Sequence, residues 1–308
     1  MIRVTNLVKD YDGFTAVDNI SFDVQDGEIF GVVGPNGAGK TTTFKMLSGL
    51  IEPTHGDIRI NGMDMSTSAV EVKKILGFLP EDSPLYENMK VNDYLMFFAE
   101  IYGVPSKVAR KRIDDLLFNL ALPYSGKRIG NLSKGMRRKV AIARSLINDP
   151  SVLVYDEPAS GLDPMTSNYI TEFIKSLKGE GKTIIFSAHN LYQVESICDR
   201  VLIVHEGQIV AQGTMDEIRA QFGSVEYSVE FTCESTEGIG YEISAAGNGI
   251  SRAVMSEMGD IDNIVKWVVS RGGDIKSIQT KESTLEEIFL KLVKTAKISN
   301  SRQTAATT

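Results

Sequence analysis

The chain has 308 residues, of which 42% are hydrophobic and 24% charged, and a formal net charge of -7. That length accommodates one large α/β domain and a smaller appendage, while the acidic balance argues against a general nucleic-acid binder, which needs a basic face to neutralise phosphates. Two cysteines, Cys198 and Cys233, and three scattered histidines show no metal-ligand spacing, so the reading is free thiols in a reducing compartment and no metal-binding cluster of these side chains.

The opening MIRVTNLVKDYDG contains no apolar leader, and no later run reaches the ~20 apolar residues of a membrane helix; the expectation is a chain that neither spans a membrane nor follows the usual export route. From Ile2 to Val33 apolar and polar residues alternate, with turns at Asp12-Gly13 and Asp26-Gly27, which predicts several β-strands. The strand EIFGVVG runs into a glycine loop and a helix. Residues 68–149 read as mostly helical, with apolar positions three and four apart in VNDYLMFFAEIYG and ARKRIDDLLFNLAL. SVLVYDE and KTIIFSAH, separated by the helix-like PMTSNYITEFIKSLKGEG, are expected to be buried parallel strands joined by a crossover, and RVLIVHEGQIVAQG a hairpin.

Beyond Phe222 a strictly alternating strand, Val225 to Phe231, precedes a glycine-rich loop with Gly238, Gly240, Gly247 and Gly249. The helix DIDNIVKWVVSR places Ile261, Ile264, Val265, Val268 and Val269 on one face, and Thr284 with Glu287 reads as a capping box. The expected domains are a large α/β domain over 1–220 with a helical insert at about 82–150, a small α+β domain over 221–297, and a disordered tail at 298–308.

GPNGAGKT, residues 34–41, fits G-x-x-x-x-G-K-[ST] between a strand and a helix. Backbone N–H groups of such a loop close around phosphate oxygens at a helix N-terminus, Lys40 reaches the β- and γ-phosphates, and the Thr41 hydroxyl faces Mg²⁺. Gly34, Asn36, Gly37, Ala38, Gly39, Lys40, Thr41 and Thr42 are the expected nucleotide contacts. VLVYDE carries Asp156 to a strand end, where it can hold Mg²⁺, and Glu157 next to it can orient or deprotonate an attacking water. These two motifs leave kinases, helicases and GTPases open.

The remaining motifs resemble those of the ATP-binding cassette (ABC) ATPases. LSKGM is similar to that family's signature motif (commonly LSGGQ), SGLD at residues 160–163 to its D-loop, His189 to its switch histidine and Tyr11 to its adenine-stacking aromatic, with order and spacing in agreement through about residue 215. The resemblance implies an α/β P-loop fold of ABC type: a mixed-sheet core, an N-terminal antiparallel β subdomain and a helical insert, here with a small C-terminal α+β domain. It implies ATP and Mg²⁺ as cofactors, Glu157, His189 and Lys40 as catalytic residues, and Tyr11, Glu81, Ser133, Gly135 and Asp163 at the nucleotide. In that family two cassettes pair head to tail, so Ser133 and Gly135 would read the γ-phosphate of ATP on a second copy. Read alone, Ser133 is an N-cap and Tyr11 a packing residue.

Glu81, in GFLPED, stands where family members commonly carry glutamine, and Met136 replaces the signature's last glutamine. A glutamate keeps an oxygen for Mg²⁺ or water but lacks the amide donor. The resemblance further implies a homodimer or a related partner subunit, docked on a separate membrane permease through residues of about 80–103, on the cytoplasmic face of the membrane. GFLPED, LSKGM, SGLDP and TLEEIFLKL are most similar to ATPase subunits of drug, antibiotic or sodium exporters. The competing reading is a soluble ABC protein acting on nucleic acid or ribosomes, which the acidic balance disfavours. KGMRRKVAIAR accordingly reads as a solvated cationic helix face.

Overall fold

A computed structural model describes residues 1–123, 126–188, 190–247 and 249–294, so the expected tail at 298–308 lies outside the described residues. The chain divides into two units, Met1–Met215 and Asp216–Thr308, and the expected boundary at 220 falls inside a helix, Met215–Phe222.

In the first unit, β1 (Ile2–Tyr11) and β2 (Phe14–Val24) form a hairpin whose turn residues Asp12 and Gly13 both have positive φ. β3 (Ile29–Val33) leads into α1 (Lys40–Leu47), and β4 (His55–Ile60) and β5 (Met63–Asp64) complete an antiparallel sheet of order β2-β1-β4-β5. The β4-β5 hairpin was not among the sequence expectations, although Asn61-Gly62, both at positive φ, is the dipeptide its turn needs.

α2 (Ala69–Ile75) is followed at once by β6 (Leu76–Leu79), a strand inside the stretch 68–149 that reads as mostly helical. LGFL reads equally as a helix turn, and what makes it a strand is its parallel partner β7 (Val152–Tyr155), seventy-six residues on in register. Between them lie α3 (Val91–Ile101), α4 (Ser106–Asn119) and α5 (Lys134–Leu146). Then come α6 (Pro164–Gly179), β8 (Thr183–Ser187), α7 (Leu191–Ile197), and the β9 (Arg200–His205) and β10 (Gln208–Thr214) hairpin.

The second sheet has order β10-β9-β3-β8-β7-β6, parallel apart from β10. β3, β7 and β8 are buried along their whole length, as expected of strands covered on both faces. The core joins the two sheets: Ile2, Val4, Ile20 and Phe22 pack with Phe44 and Leu47 of α1 and with Val32, Val154, Ile185 and Leu202. This arrangement sets the C-terminal ends of β3, β7 and β8 beside one another, the edge at which open α/β sheets bind ligands.

The second unit begins with α8 (Met215–Phe222) and holds a sheet of order β12-β13-β11-β14, made by β11 (Val225–Thr232), β12 (Glu242–Gly247), β13 (Ile250–Met255) and β14 (Asp274–Glu282), with α9 (Gly259–Ser270) and a last helix, α10, over 285–294. β12 replaces part of the expected glycine-rich loop: Gly247 pairs with Ile250, and β13 supplies hydrogen bonds that the pattern of β12 does not announce. On α9, Ile264 and Val268 are buried and Ile261 packs beside them, whereas Val269 is exposed and Trp267 takes part in the core instead.

The capping box forms: the Thr284 N–H donates to Glu287 Oε2 (3.0 Å) and the Glu287 N–H to Thr284 Oγ1 (3.2 Å). Thr284→Ala should cost about 1 kcal/mol. Trp267, the sole tryptophan, lies in this unit, so urea unfolding followed by its fluorescence should show the lowered midpoint, and an unmoved midpoint would show the box to be without effect.

Candidate functional site

The glycine loop connects buried β3 to α1, whose N-cap is Gly39 at φ 97°, a conformation strained for any residue with a Cβ. A Cβ there would lie 2.4 Å from the Ala16 carbonyl oxygen, so the loop backbone is seated where no side chain fits. Asn36 and Gly37 are exposed, Ala38 and Lys40 are buried, and Thr41 and Thr42 open α1 on its accessible side. The Lys40 ammonium donates to the carbonyls of Gly34 (2.7 Å) and Pro35 (3.1 Å). Burial pulls it below the ordinary lysine range, and the carboxylates of Glu157, Asp156 and Glu81 push it back up. All three acids therefore lie close enough to act on one cation.

Asp156, at the end of β7, is almost wholly buried and uses both oxygens: Thr41 Oγ1 donates to one (2.7 Å) and Ser187 Oγ, at the end of β8, donates to the other (2.7 Å). The same Ser187 hydroxyl accepts from the Glu157 N–H (3.0 Å). Glu157 is 5% exposed and sits at φ 48°, in the left-handed region that a side chain disfavours. Lys40, Thr41, Asp156 and Glu157 are thus brought together as expected, with Glu81 exposed at their edge.

Other expected site residues lie apart from that cluster. Ser133 N-caps α5, its Oγ accepting from the Met136 N–H (3.3 Å), and is exposed; Gly135 lies against α6, where a Cβ would come within 2.9 Å of Thr166 Cγ2. Asp163 N-caps α6 by accepting from the Thr166 N–H (3.0 Å), which holds its carboxyl below the usual carboxylate range. Tyr11 ends β1 opposite Phe14, with its ring exposed and the Lys9 ammonium 5.2 Å from the ring centre. His189 lies outside the described residues.

Two residues escaped sequence reading. Ser187 sits one strand away from the acids it holds, and only the β7-β8 pairing reveals it. Arg138 belongs to the run expected to be a solvated cationic face, and the structure corrects that expectation. Its guanidinium is turned inward and donates to five carbonyls and a hydroxyl: Pro158 from Nε (2.9 Å); Pro80 (2.7 Å), Glu81 (2.9 Å) and Ser83 Oγ (3.2 Å) from Nη1; Asp156 (2.9 Å) and Glu157 (2.8 Å) from Nη2. Burial lowers it to about 10, which leaves it charged at neutral pH. Residues 138, 141, 142 and 145 share one face of α5 and the last three are buried, so helical periodicity held the signal. Its neighbours are engaged as well: Arg137 bonds Glu87, Lys139 lies over the Tyr169 ring, and Arg144 bonds the Tyr94 hydroxyl.

A glycine loop at the sheet's edge, a buried lysine, and a threonine tied to a strand-end aspartate define a P-loop nucleotide hydrolase. Residues 17–160 match the family described as ABC transporter. Over 226 residues the chain is 38% identical to the ABC transporter ATP-binding protein NatA of Bacillus subtilis (strain 168), covering 73% of this chain and 92% of that one. It is 36% identical over 224 residues to the linearmycin resistance ATP-binding protein LnrL of the same organism, 72% of each chain. A solved ATP-binding subunit of an ABC transporter superposes with a TM-score of 0.67 at 33% identity, covering 72% of this chain and 93% of that one. The chain belongs to the ATP-binding subunits of ABC transporters, and it binds and hydrolyses ATP. Among the described residues no helix is long and apolar enough to cross a membrane.

Proposed function

We propose that the chain is the ATPase of an exporter and that it works as a homodimer in which each copy completes the other's nucleotide site. The observation that carries this reading is the separation of two phosphate-binding elements: the Lys40 cluster at the sheet edge, and an exposed α5 N-terminus at Ser133 whose hydroxyl bonds its own helix. A helix N-terminus favours an anion, and ATP on a second copy would meet it.

Within one copy, the N–H groups of Gly34, Asn36, Gly37, Ala38 and Gly39 cradle the phosphates, Thr42 supports them from the first turn of α1, Lys40 exchanges its carbonyl acceptors for phosphate oxygens, and Tyr11 stacks on adenine. Thr41 and Asp156 present two hard oxygens 2.7 Å apart, the donor type Mg²⁺ takes, with Glu81 near. When bound, the ion offsets charge on the β- and γ-phosphates. Glu157 orients the attacking water and accepts its proton. Asp163, fixed as a helix cap, borders the dimer face, and the role of His189 toward the γ-phosphate rests on the sequence alone.

Tyr86 before α3, Phe97 and Ile101 on it and Tyr102 at its C-terminal cap are exposed, while Val91, Tyr94 and Leu95 form its core side. The exposed set suits a permease, which also fits peripheral placement on the cytoplasmic face of the membrane. Export is supported by similarity to a resistance protein and by the motif likenesses. The test is assembly. With Glu157→Gln to prevent turnover, saturating ATP should convert the protein to dimers on a sizing column. Adding Ser133→Arg should leave single particles with ATP affinity within about threefold of the parent. Dimers persisting in the double variant would overturn the shared-site reading.

A further inference from the structure

Arg138 donates six hydrogen bonds from one guanidinium, and the chemistry described so far does not use it. Its acceptors fall on two separate loops. Pro80, Glu81 and Ser83 follow β6, and Asp156, Glu157 and Pro158 follow β7. Five of the six are main-chain carbonyls, so the guanidinium holds backbone and leaves the acidic side chains of Glu81, Asp156 and Glu157 to do other work. Glu157 gains most from this. Its backbone is in a left-handed conformation that a residue with a side chain disfavours, and it is gripped from both sides, through its N–H by Ser187 (3.0 Å) and through its carbonyl by Arg138 (2.8 Å). A peptide held at both ends fixes the direction of its side chain.

Arg138 also lies on α5, five residues from Ser133 and on the same rigid rod. One side chain therefore ties the helix that begins at Ser133, the loop that carries Glu81 and the strand end that carries Glu157.

We propose that Arg138 is a positioning residue: by holding the carbonyls of Glu81 and Glu157 on one planar fork, it sets the aim of the Glu157 carboxylate and makes that aim depend on the loop at 80–83. This rests on the reading of Glu157 as the group that orients water. The fork is essential, because a lysine ammonium is a single point of charge and cannot reach six acceptors spread around a plane. Lys40 and the glycine loop do not touch Arg138, so nucleotide binding is expected to be insensitive to its loss.

The test uses the full chain. Arg138→Lys keeps the charge and loses the fork; kcat for ATP should fall about 10- to 100-fold while KM and the affinity for a fluorescent ATP analogue stay within about twofold. A fall in kcat by itself would also follow from partial unfolding, so nucleotide-binding stoichiometry is measured alongside and should remain that of the parent.

The decisive readout is a double-variant cycle in single-turnover experiments with labelled ATP. In the Glu157→Gln background, Arg138→Lys should change the residual rate by less than about twofold, because the group it aims is gone. An undiminished 10- to 100-fold loss in that background would overturn the proposal and leave Arg138 a general stabiliser of the fold. If Arg138→Lys does not fold, Ser83→Ala removes the hydroxyl that accepts from Arg138 and donates to the Pro80 carbonyl (2.8 Å), loosening the same loop, and should lower kcat a few-fold with the same disappearance in the Glu157→Gln background; an unchanged kcat in Ser83→Ala would count against the proposal. Should Glu157→Gln by itself leave turnover intact, the failure lies with the assignment of Glu157 and is separately visible.

Discussion

Glu157→Gln should lower ATP hydrolysis by about 10²–10³-fold and leave ATP binding within about twofold. General base catalysis by one placed side chain contributes on that scale, and the structure isolates the contribution well. Glutamine matches glutamate in volume, so a side chain 5% exposed is replaced without a cavity. The contacts that hold the Glu157 backbone, with Ser187 at its N–H and with Arg138 and the Ser160 N–H at its carbonyl, use only main-chain atoms of Glu157 and survive the change. Asp156 keeps Thr41 and Ser187, so the metal-facing oxygens stay where they are. What is lost is an oxygen able to take a proton from water. Phosphate release under saturating ATP measures the first half of the prediction and equilibrium binding of labelled ATP the second. Unchanged phosphate release would place the chemistry elsewhere and favour a nucleotide-responsive regulator over the assigned water-activating role. Loss of ATP binding would instead show that the substitution had disturbed the phosphate loop.

The parts of this site that were legible in the sequence are those whose chemistry is local. Gly34, Gly39, Lys40 and Thr41 sit within eight residues, and Asp156 and Glu157 within two, so a short window holds both the residue types and the strand or helix that carries them. The fold was readable for the same reason wherever a strand is buried on both faces, as in β3, β7 and β8, or where a turn dipeptide marks a hairpin, as at Asp12-Gly13. What stayed hidden depends on a partner distant in sequence. β6 is a strand because β7 lies beside it, and β12 because β13 does. Charge was the most misleading cue. Five cations in α5 suggested a wet surface, yet Arg138 points into the fold, where carbonyls of two loops satisfy it. Composition reports what a residue costs to bury alone, and says nothing of the acceptors that tertiary structure brings to it.

The loop glycines should differ sharply from one another, and this gives a test of the geometry itself. Gly39→Ala should reduce ATP affinity about 100-fold or more. Two costs combine there. At φ 97° an alanine is held in a left-handed conformation, worth about 1–2 kcal/mol. Its Cβ would also lie 2.4 Å from the Ala16 carbonyl oxygen and 3.3 Å from Val17 Cγ2, and the nearer atom is backbone of β2, which cannot swing aside as a side-chain tip does. The loop must therefore move. Gly39 caps α1, and its carbonyl accepts from both the N–H and the hydroxyl of Thr43 (2.9 and 3.0 Å), so movement displaces the first turn that carries Lys40 and Thr41. A displacement costing about 2.7 kcal/mol in binding is the 100-fold loss expected. Gly37 is the internal control: at φ 80° it bears similar backbone strain, but no atom lies within 4 Å of its would-be Cβ. Gly37→Ala should cost only the conformational part, roughly tenfold or less in affinity. Calorimetric titration with ATP compares the two directly, and thermal melting confirms that each variant is folded. Equal losses at the two positions would mean that strain alone sets the loop, and that its seating against Ala16 has no part in holding the phosphates.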